Sequence, residues 1–211
     1  MSRIAILGAG RVASSLATAL VEQGHQVTIG VRDQTRTRDW LVEPMVCTSI
    51  GEAVVGADVV FNATPGETSL ERLSAVREEL AGKILVDVSN AVERGLNGLP
   101  GTLTYPGSSL GEMLQAALPD TKVVKTLNTM LFTVMANPGS LSTPATVFVS
   151  GDHADAKATV TGLLQDLGWT PGSILDLGDI RTARGPEAMI LAVPDLIAAR
   201  GLAPFAITVA S

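Results

Sequence analysis

A glycine-rich turn near the start of the chain is the first group of residues whose types and spacing could support chemistry. The sequence GAGRVA covers residues 8–13 and has the pattern GxGxxA, directly after the apolar run of residues 3–7. Gly8 permits a tight turn, Gly10 lets the backbone approach a pyrophosphate, and the small Ala13 lets the following helix pack closely on the strand. Amides at the start of that helix would face the anion. The segment therefore predicts a phosphate-binding loop for a nucleotide cofactor.

The residues after the second predicted strand indicate which nucleotide this loop would hold. NAD enzymes usually have an acid there for the ribose hydroxyls, whereas here Val31 is followed by Arg32, and Asp33 comes one residue later. A guanidinium at position 32, reinforced by Arg36 or Arg38, can pair with a phosphate through several donors. The pattern favours NADP, which carries a 2′-phosphate. The alternative is that these arginines only begin a solvated surface helix.

Groups for proton transfer are scarce where ligands gather in such folds. The two histidines, His25 and His153, lie in turns rather than at the predicted strand ends, and we expect both to be structural or solvated. No zinc-binding spacing, nucleophile elbow or Walker lysine occurs, so we assign no catalytic residue and no metal ligand. Uncharged residues follow three predicted strands instead: Thr64 and Pro65, Ser89 and Asn90, and Asn128 and Thr129. They could orient a nicotinamide without moving a proton, or they could only cap turns.

Alternating strands and helices would bring these residues together. Strand patterns cover residues 3–7, 26–31, 45–48, 58–63, 84–88, 122–126, 145–150 and 173–177, and helical patterns cover 11–23, 70–80, 109–117, 154–167 and 186–200. The irregular stretch 90–108 is predicted to be a loop. Several strands are apolar on both faces, as in a covered parallel sheet. The order predicts an α/β fold of the Rossmann type, with a doubly wound, mostly parallel sheet in a single NADP-binding domain over residues 1–211 that ends in a helix and a tail.

Composition excludes several kinds of partner. The chain has 21 acidic and 15 Lys or Arg residues, a net charge of −6 and 46% apolar residues, which argues against nucleic acid and favours a small-molecule partner. No segment has the length of a membrane span or a signal peptide, and Cys47 has no second cysteine to pair with, so we expect a cytoplasmic protein without a membrane partner. The apolar last segment, LAPFAITVAS, would be exposed in a monomer and predicts a homodimer.

With these segments in view, the chain resembles the F420-dependent NADP oxidoreductase family, which also includes the reductase domain of the STEAP metalloreductases. The resemblance spans almost the whole chain and is carried by IAILGAGRVASSLA, GHQVTIGVRD, NATP, KILVDVSN, KVVKTLNTM and DLGDIRTARGPEAM. It implies that residues 9–12 bind the pyrophosphate region, that Arg32 and Arg36 bind the 2′-phosphate, and that Pro65 and Asn90 border the nicotinamide. The expected cofactor-binding residues are Gly8, Ala9, Gly10, Arg11, Val12, Arg32, Arg36, Ala63, Thr64, Pro65 and Asn90.

The resemblance also implies a reaction, in which a hydride passes between NADPH and the deazaflavin ring of coenzyme F420 with little side-chain chemistry. That agrees with the missing acid and base. The sequence departs from the family pattern at Val31, where a small polar residue is common, and at residues 66–68, where the family is bulkier. Reduction of free flavin or another small molecule, and NADPH sensing without catalysis, remain alternatives. A short relative of pyrroline-carboxylate or hydroxyacid reductases is disfavoured, because those have a long helical domain after the sheet.

Overall fold

One eight-stranded sheet, covered by helices on both faces, forms the centre of the computed structural model, which describes residues 1–35, 39–41, 43, 45–96 and 98–209. The strands are β1 (Arg3–Leu7), β2 (Gln26–Val31), β3 (Val46–Ser49), β4 (Val59–Asn62), β5 (Ile84–Asp87), β6 (Val92–Arg94), β7 (Pro100–Leu103), β8 (Lys122–Thr126), β9 (Val147–Ser150) and β10 (Ile174–Gly178). The helices are α1 (Arg11–Glu22), α2 (Ile50–Val55), α3 (Gly66–Ser74), α4 (Arg77–Leu80), α5 (Leu110–Ala117), α6 (Phe132–Met135), α7 (Ala154–Asp166), α8 (Arg184–Ala188) and α9 (Val193–Arg200).

The strand order is β10-β9-β8-β5-β4-β1-β2-β3, with β1 between β2 and β4. All neighbours in this sheet are parallel except β8 and β9, which are antiparallel. The chain winds outward from β1 in one direction through β2 and β3 and in the other through β4, β5 and β8. Ligands bind at such a switch point, beyond the carboxyl ends of the strands. The predicted doubly wound, mostly parallel fold is confirmed.

The core lies on both faces of this sheet, because successive side chains of β1 point to opposite faces. Ile4 and Ile6 point to the face covered by α1 and α7, and Ala5 and Leu7 point to the face covered by α3 and α5. The helix α1 buries one apolar stripe, comprising Ala13, Leu16, Ala17 and Leu20. Burial of each leucine contributes about 1.5 to 3 kcal/mol. These contacts fix the glycine-rich turn between β1 and α1.

Three local predictions need correction. The stretch 90–108 contains an antiparallel pair, β6 and β7, in which Val92 faces Leu103, so it is not only a loop. The helix predicted over 70–80 begins earlier, at Gly66, and is split into α3 and α4. The helix predicted over 186–200 is also split, because a short 3-10 turn over Met189–Ala192 separates α8 from α9 and Pro194 lies in the first turn of α9.

The histidines lie away from the switch point. His25 is 6% exposed, its Nδ1 accepts the backbone N–H of Ser2 at 3.2 Å, and its Nε2 lies 3.1 Å from a carboxylate oxygen of Asp166. These contacts tie the turn before β2 to the end of α7. His153 directly precedes α7, after a strand that runs opposite to β8. Across the part of the chain that the structure describes, no helix has the length and apolar character needed to cross a membrane.

Candidate functional site

A cleft of about 270 Å³ opens beside the ends of β1, β2 and β4, at the switch point of the sheet. Its walls come from the end of β2 and from the loops after the three strands, with one residue each from α2 and α3. The lining residues are Gly8, Ala9, Gly30, Val31, Arg32, Asp33, Ile50, Thr64, Pro65 and Arg72. Five of the residues predicted to bind the cofactor are therefore brought together: Gly8, Ala9, Arg32, Thr64 and Pro65. Arg36 and Arg38 lie outside the described residues.

Glycine is needed at positions 8 and 10 of the turn for different reasons. Gly8 has a φ of +113°, and a Cβ there would lie 2.6 Å from the carbonyl oxygen of Ala63, so only glycine fits against the loop after β4. Gly10 has an ordinary φ of −89°, and a Cβ there would meet no atom of the described chain within 4 Å. The fold therefore requires Gly8. Gly10 instead leaves open space beside the start of α1, as the approach of a pyrophosphate requires.

The start of α1 is suited to an anion. Gly10 is the N-cap residue and has no side chain to accept hydrogen bonds from the first amides, and the first turn contains no acidic residue. The amides and the positive end of the helix dipole are thus available to a phosphate. Val12 is partly buried, while the guanidinium of Arg11 lies 5.1 Å from the ring centroid of Phe132. Arg11 therefore has an aromatic neighbour on α6, at the rim of the turn.

Two guanidinium groups make one end of the cleft positive. Arg32 is exposed at the end of β2, and Arg72, on α3, is half-buried. Burial lowers the pKa of Arg72, and the charge of Arg32, which lines the same cleft, lowers it further. The carboxylate of Asp33 accepts the N–H and the hydroxyl of Thr35 at 3.0 and 2.6 Å. Arg72 was not predicted as a site residue, because nothing near it in the sequence indicates that α3 packs beside the end of β2.

A buried polar network holds the loop after β4. Asn62 is fully buried and donates to Asp87 at 2.9 Å and to Ser69 at 3.0 Å, while its side-chain oxygen accepts the hydroxyl of Thr64 at 2.7 Å. Thr64, predicted to contact the cofactor, is thereby fixed in orientation. Asn62 itself positions the loop and faces the protein interior. These bonds give the cleft wall a single arrangement.

A buried cluster of three charged residues lies beneath this network. Lys125 pairs in register with Asp87 across β8 and β5, and its Nζ lies 2.7 Å from Asp87 and 3.0 Å from Glu187, while also donating to the carbonyl of Ser89. Glu187 accepts the first two amides of α5 at 2.8 and 3.0 Å. Burial opposes the charge of Lys125, but the two carboxylates outweigh it, so its pKa is raised. The cluster joins β5, β8, α5 and α8.

A second, smaller cavity of about 40 Å³ lies between the ends of β5 and β8 and the C-terminal helices. Asn90 and Asn128 close one side of it through two hydrogen bonds of 2.9 Å: the Asn90 amide donates to the Asn128 carbonyl, and the Asn128 amide donates to the Asn90 side chain. The lining residues are Asn90, Asn128, Thr129, Met130, Met189, Ile190, Val193, Leu196, Phe205 and Ile207. Most of this surface is apolar, with polar groups on one side.

Thr129 is the unusual residue of this second cavity. It is 5% exposed, and its hydroxyl has no hydrogen-bond partner among the described residues. Leu127, two residues earlier, has a φ of +62°, a conformation that costs energy for a branched side chain and that turns the chain at the end of β8. A buried hydroxyl without a partner is rare in native proteins. A ligand could satisfy it.

The two cavities are neighbours through Pro65 and Asn90. Pro65 lines the first cavity and Asn90 lines the second. Gly66, which follows the proline, packs so closely that a Cβ there would overlap the carbonyl of Asn90. This contact explains why the chain has no bulky residue after Pro65. No group of three potential metal ligands occurs among the residues that the structure describes.

Comparisons with known proteins agree with this geometry. Residues 3–91 match the family model described as NADP oxidoreductase, coenzyme F420-dependent. The solved structure of a candidate F420-dependent NADP reductase from Arthrobacter sp. FB24 is 42% identical in sequence, with a TM-score of 0.93 and complete coverage of both chains.

Two further relatives match a part of their own length. Metalloreductase STEAP3 of Rattus norvegicus is 35% identical over 190 residues, which cover 90% of this chain and 36% of the relative. The F420-dependent NADP reductase of Methanocaldococcus jannaschii is 28% identical over 141 residues, which cover 65% of this chain and 61% of the relative. The chain thus spans about a third of the first relative and about three fifths of the second.

Proposed function

Because the chain belongs to the F420-dependent NADP oxidoreductase family, we propose that it transfers a hydride between NADPH and a deazaflavin of the coenzyme F420 type. The observation that carries this proposal is the adjacency of the two cavities at Pro65 and Asn90. One cavity has the features of a nucleotide site, and the other is mostly apolar. Two flat rings held in contact at such a junction need orientation more than side-chain chemistry.

We propose that NADP binds in the first cavity. The open space at Gly10 and the free amides of α1 would receive the pyrophosphate, together with Ala9, Arg11 and Val12. Arg32 would bind the 2′-phosphate, and Arg36 is proposed to assist it. Ala63, Thr64, Pro65 and Asn90 would then lie along the path toward the nicotinamide. NADPH supplies the hydride when it is bound, and these residues position the ring that carries it.

The acceptor is proposed to contact the second cavity. The described residues of the two cavities include no histidine and no lysine, and their ionisable groups are Arg32, Asp33 and Arg72 at the nucleotide end. A carbonyl substrate would need a proton donor for its developing alkoxide. A deazaflavin can take its proton from water at an exposed ring edge. Free flavin presents a similar flat ring and is the second candidate.

We expect NADPH to reduce oxidised F420, followed as loss of the visible absorbance of F420. Thr129→Val should raise KM for F420, or lower kcat/KM, by about tenfold, because it removes a buried hydroxyl of the acceptor pocket while keeping the shape of the side chain. Thr126→Val is the matched control. Thr126 also has a buried hydroxyl without a partner among the described residues, but it does not line the cavity. The Thr126→Val variant should therefore reduce F420 at the native rate.

A panel of other acceptors separates the alternatives. Rapid reduction of an aldehyde, ketone or imine without F420 turnover would reject the deazaflavin as acceptor. Turnover of flavin mononucleotide or riboflavin in preference to F420 would favour the flavin reductase. Tight binding of NADPH with no oxidation by any member of the panel would favour a nucleotide-sensing protein.

We also propose the homodimer predicted from the apolar last segment, LAPFAITVAS. Phe205, Ala206 and Ile207 are already half-buried, and Ala206 pairs with Met130 of the same chain. The partner would therefore cover the large apolar residues of the segment that stay exposed, Leu202 and Val209. Light scattering should give twice the chain mass of 21.8 kDa. Leu202→Asp together with Val209→Asp should give a monomer. Leu175→Asp is the control, because Leu175 is also an exposed apolar residue but lies on β10. A monomeric native protein would contradict the proposal.

A further inference from the structure

Resting on the proposed use of NADP, we infer that Arg72 binds the 2′-phosphate of the nucleotide from the side of the cleft opposite Arg32. The two guanidinium groups would hold this phosphate between them. Arg72 would then be a specificity-determining residue for NADP over NAD. It lies forty residues further along the chain than Arg32, on a different element.

The topology brings the two arginines to one place. Arg32 follows β2, and Arg72 lies on α3, the helix that follows β4. Both strands flank β1, so the two elements stand on either side of the glycine-rich turn. Both side chains line the same cleft, together with Gly8 and Ala9. An anion beyond this turn can therefore be reached from both sides.

The electrostatics of Arg72 favour an anion. Arg72 is half-buried beside another cation, an arrangement that is unfavourable by itself. Glu67 and Glu71, exposed on the same helix, offset part of this repulsion, and Asp33 is engaged by Thr35. Among the described residues, no salt bridge joins Arg72 or Arg32 to a carboxylate.

A phosphate dianion between the two guanidiniums would relieve this repulsion. It would also accept charge-assisted hydrogen bonds from both of them. A 2′-hydroxyl, as in NAD, offers no charge and leaves the two cations facing each other. The arrangement thus favours NADP over NAD in two ways. The two arginines attract the 2′-phosphate of NADP, and with NAD bound their mutual repulsion is not compensated.

Calorimetric titration with nucleotide fragments tests this inference without any catalysis. The ligands are NADPH, NADH, 2′,5′-ADP and 5′-AMP, and the proteins are the native chain, Arg72→Ala, Arg72→Lys and Arg32→Ala. We expect Arg72→Ala to weaken NADPH and 2′,5′-ADP about 10- to 100-fold, and to change NADH and 5′-AMP by less than about twofold. Arg72→Lys keeps the charge and should recover part of the loss.

The matched control is Arg77→Ala, which removes an exposed cation from α4 outside the cleft and should leave all four affinities unchanged. Melting temperatures of all variants show whether each remains folded. If Arg72→Ala weakens the phosphorylated and unphosphorylated ligands equally, Arg72 stacks on the adenine or supports the fold, and the inference is wrong. If no affinity changes, Arg72 is not part of the site.

The same data separate this inference from the proposed function. Suppose that the native protein prefers 2′,5′-ADP to 5′-AMP, and that Arg32→Ala abolishes this preference while Arg72→Ala keeps it. That result supports the use of NADP and overturns the role of Arg72. Native protein without any preference for the phosphorylated ligands overturns both.

Discussion

Lys125→Met is expected to lower the free energy of unfolding by about 3 to 5 kcal/mol. The ammonium group is 1% exposed and lies between the carboxylates of Asp87 and Glu187, both of which are buried. Methionine fills a similar volume but leaves two buried carboxylates without their cation. Urea unfolding of native and variant proteins measures the difference, provided that the dependence on urea is the same for both.

Lys122→Met is the matched control. Lys122 lies on the same strand, three residues earlier, and pairs at 2.5 Å with the exposed Asp155. A solvated pair of this kind is worth about 1 kcal/mol or less. The difference between the two variants therefore isolates the effect of burial. If both variants lose a similar free energy of unfolding, burial does not make the cluster of Lys125, Asp87 and Glu187 more important for stability than an exposed ion pair.

Gly10→Val is expected to weaken NADPH binding by at least about 100-fold while lowering the free energy of unfolding by only about 1 kcal/mol, the usual cost of an apolar residue at the N-cap. The φ of −89° suits any residue, and no atom of the described chain outside the neighbouring residues lies within 4 Å of the new Cβ, so the fold has room for a Cβ at this position. The added side chain would occupy the space proposed for the pyrophosphate and keep it from the amides of α1. Several charge-assisted hydrogen bonds would be lost together, each worth about 1.5 to 3 kcal/mol.

Gly8→Ala should instead destabilise the fold itself. The positive φ and the contact of 2.6 Å with the carbonyl of Ala63 predict a loss of about 1 to 3 kcal/mol in folding stability, even without nucleotide. Thermal unfolding and NADPH titration of both variants form one experiment. Unchanged NADPH affinity in folded Gly10→Val would show that this turn does not hold the pyrophosphate.

The sequence was sufficient to predict those parts of the site that depend on neighbouring residues. The turn at Gly8 and Gly10 follows from a short motif between a strand and a helix, and Arg32 follows from its place at the end of β2. The succession of strands and helices along the chain also indicated a covered parallel sheet, because a strand that is apolar on both faces must be covered on both faces. These features need no knowledge of which distant elements meet.

Features that depend on packing between distant elements could not be predicted. Arg72 reaches the cleft only because α3 begins at Gly66 and lies against the loop of Asn90. Lys125 had the appearance of an ordinary strand residue, and nothing near it in the sequence indicates that Glu187 would complete its cluster. The pair β6 and β7 was missed because two strands of three and four residues leave almost no pattern.

The buried cluster also has a consequence for the lifetime of the folded protein. Its network draws on residues from Asn62 to Glu187, and these meet only after several long crossover segments have closed, which is slow in parallel sheets. Interactions that form after the rate-limiting step of folding act mainly on the rate of unfolding. If the cluster forms after that step, we expect it to slow unfolding of the sheet more than it speeds refolding.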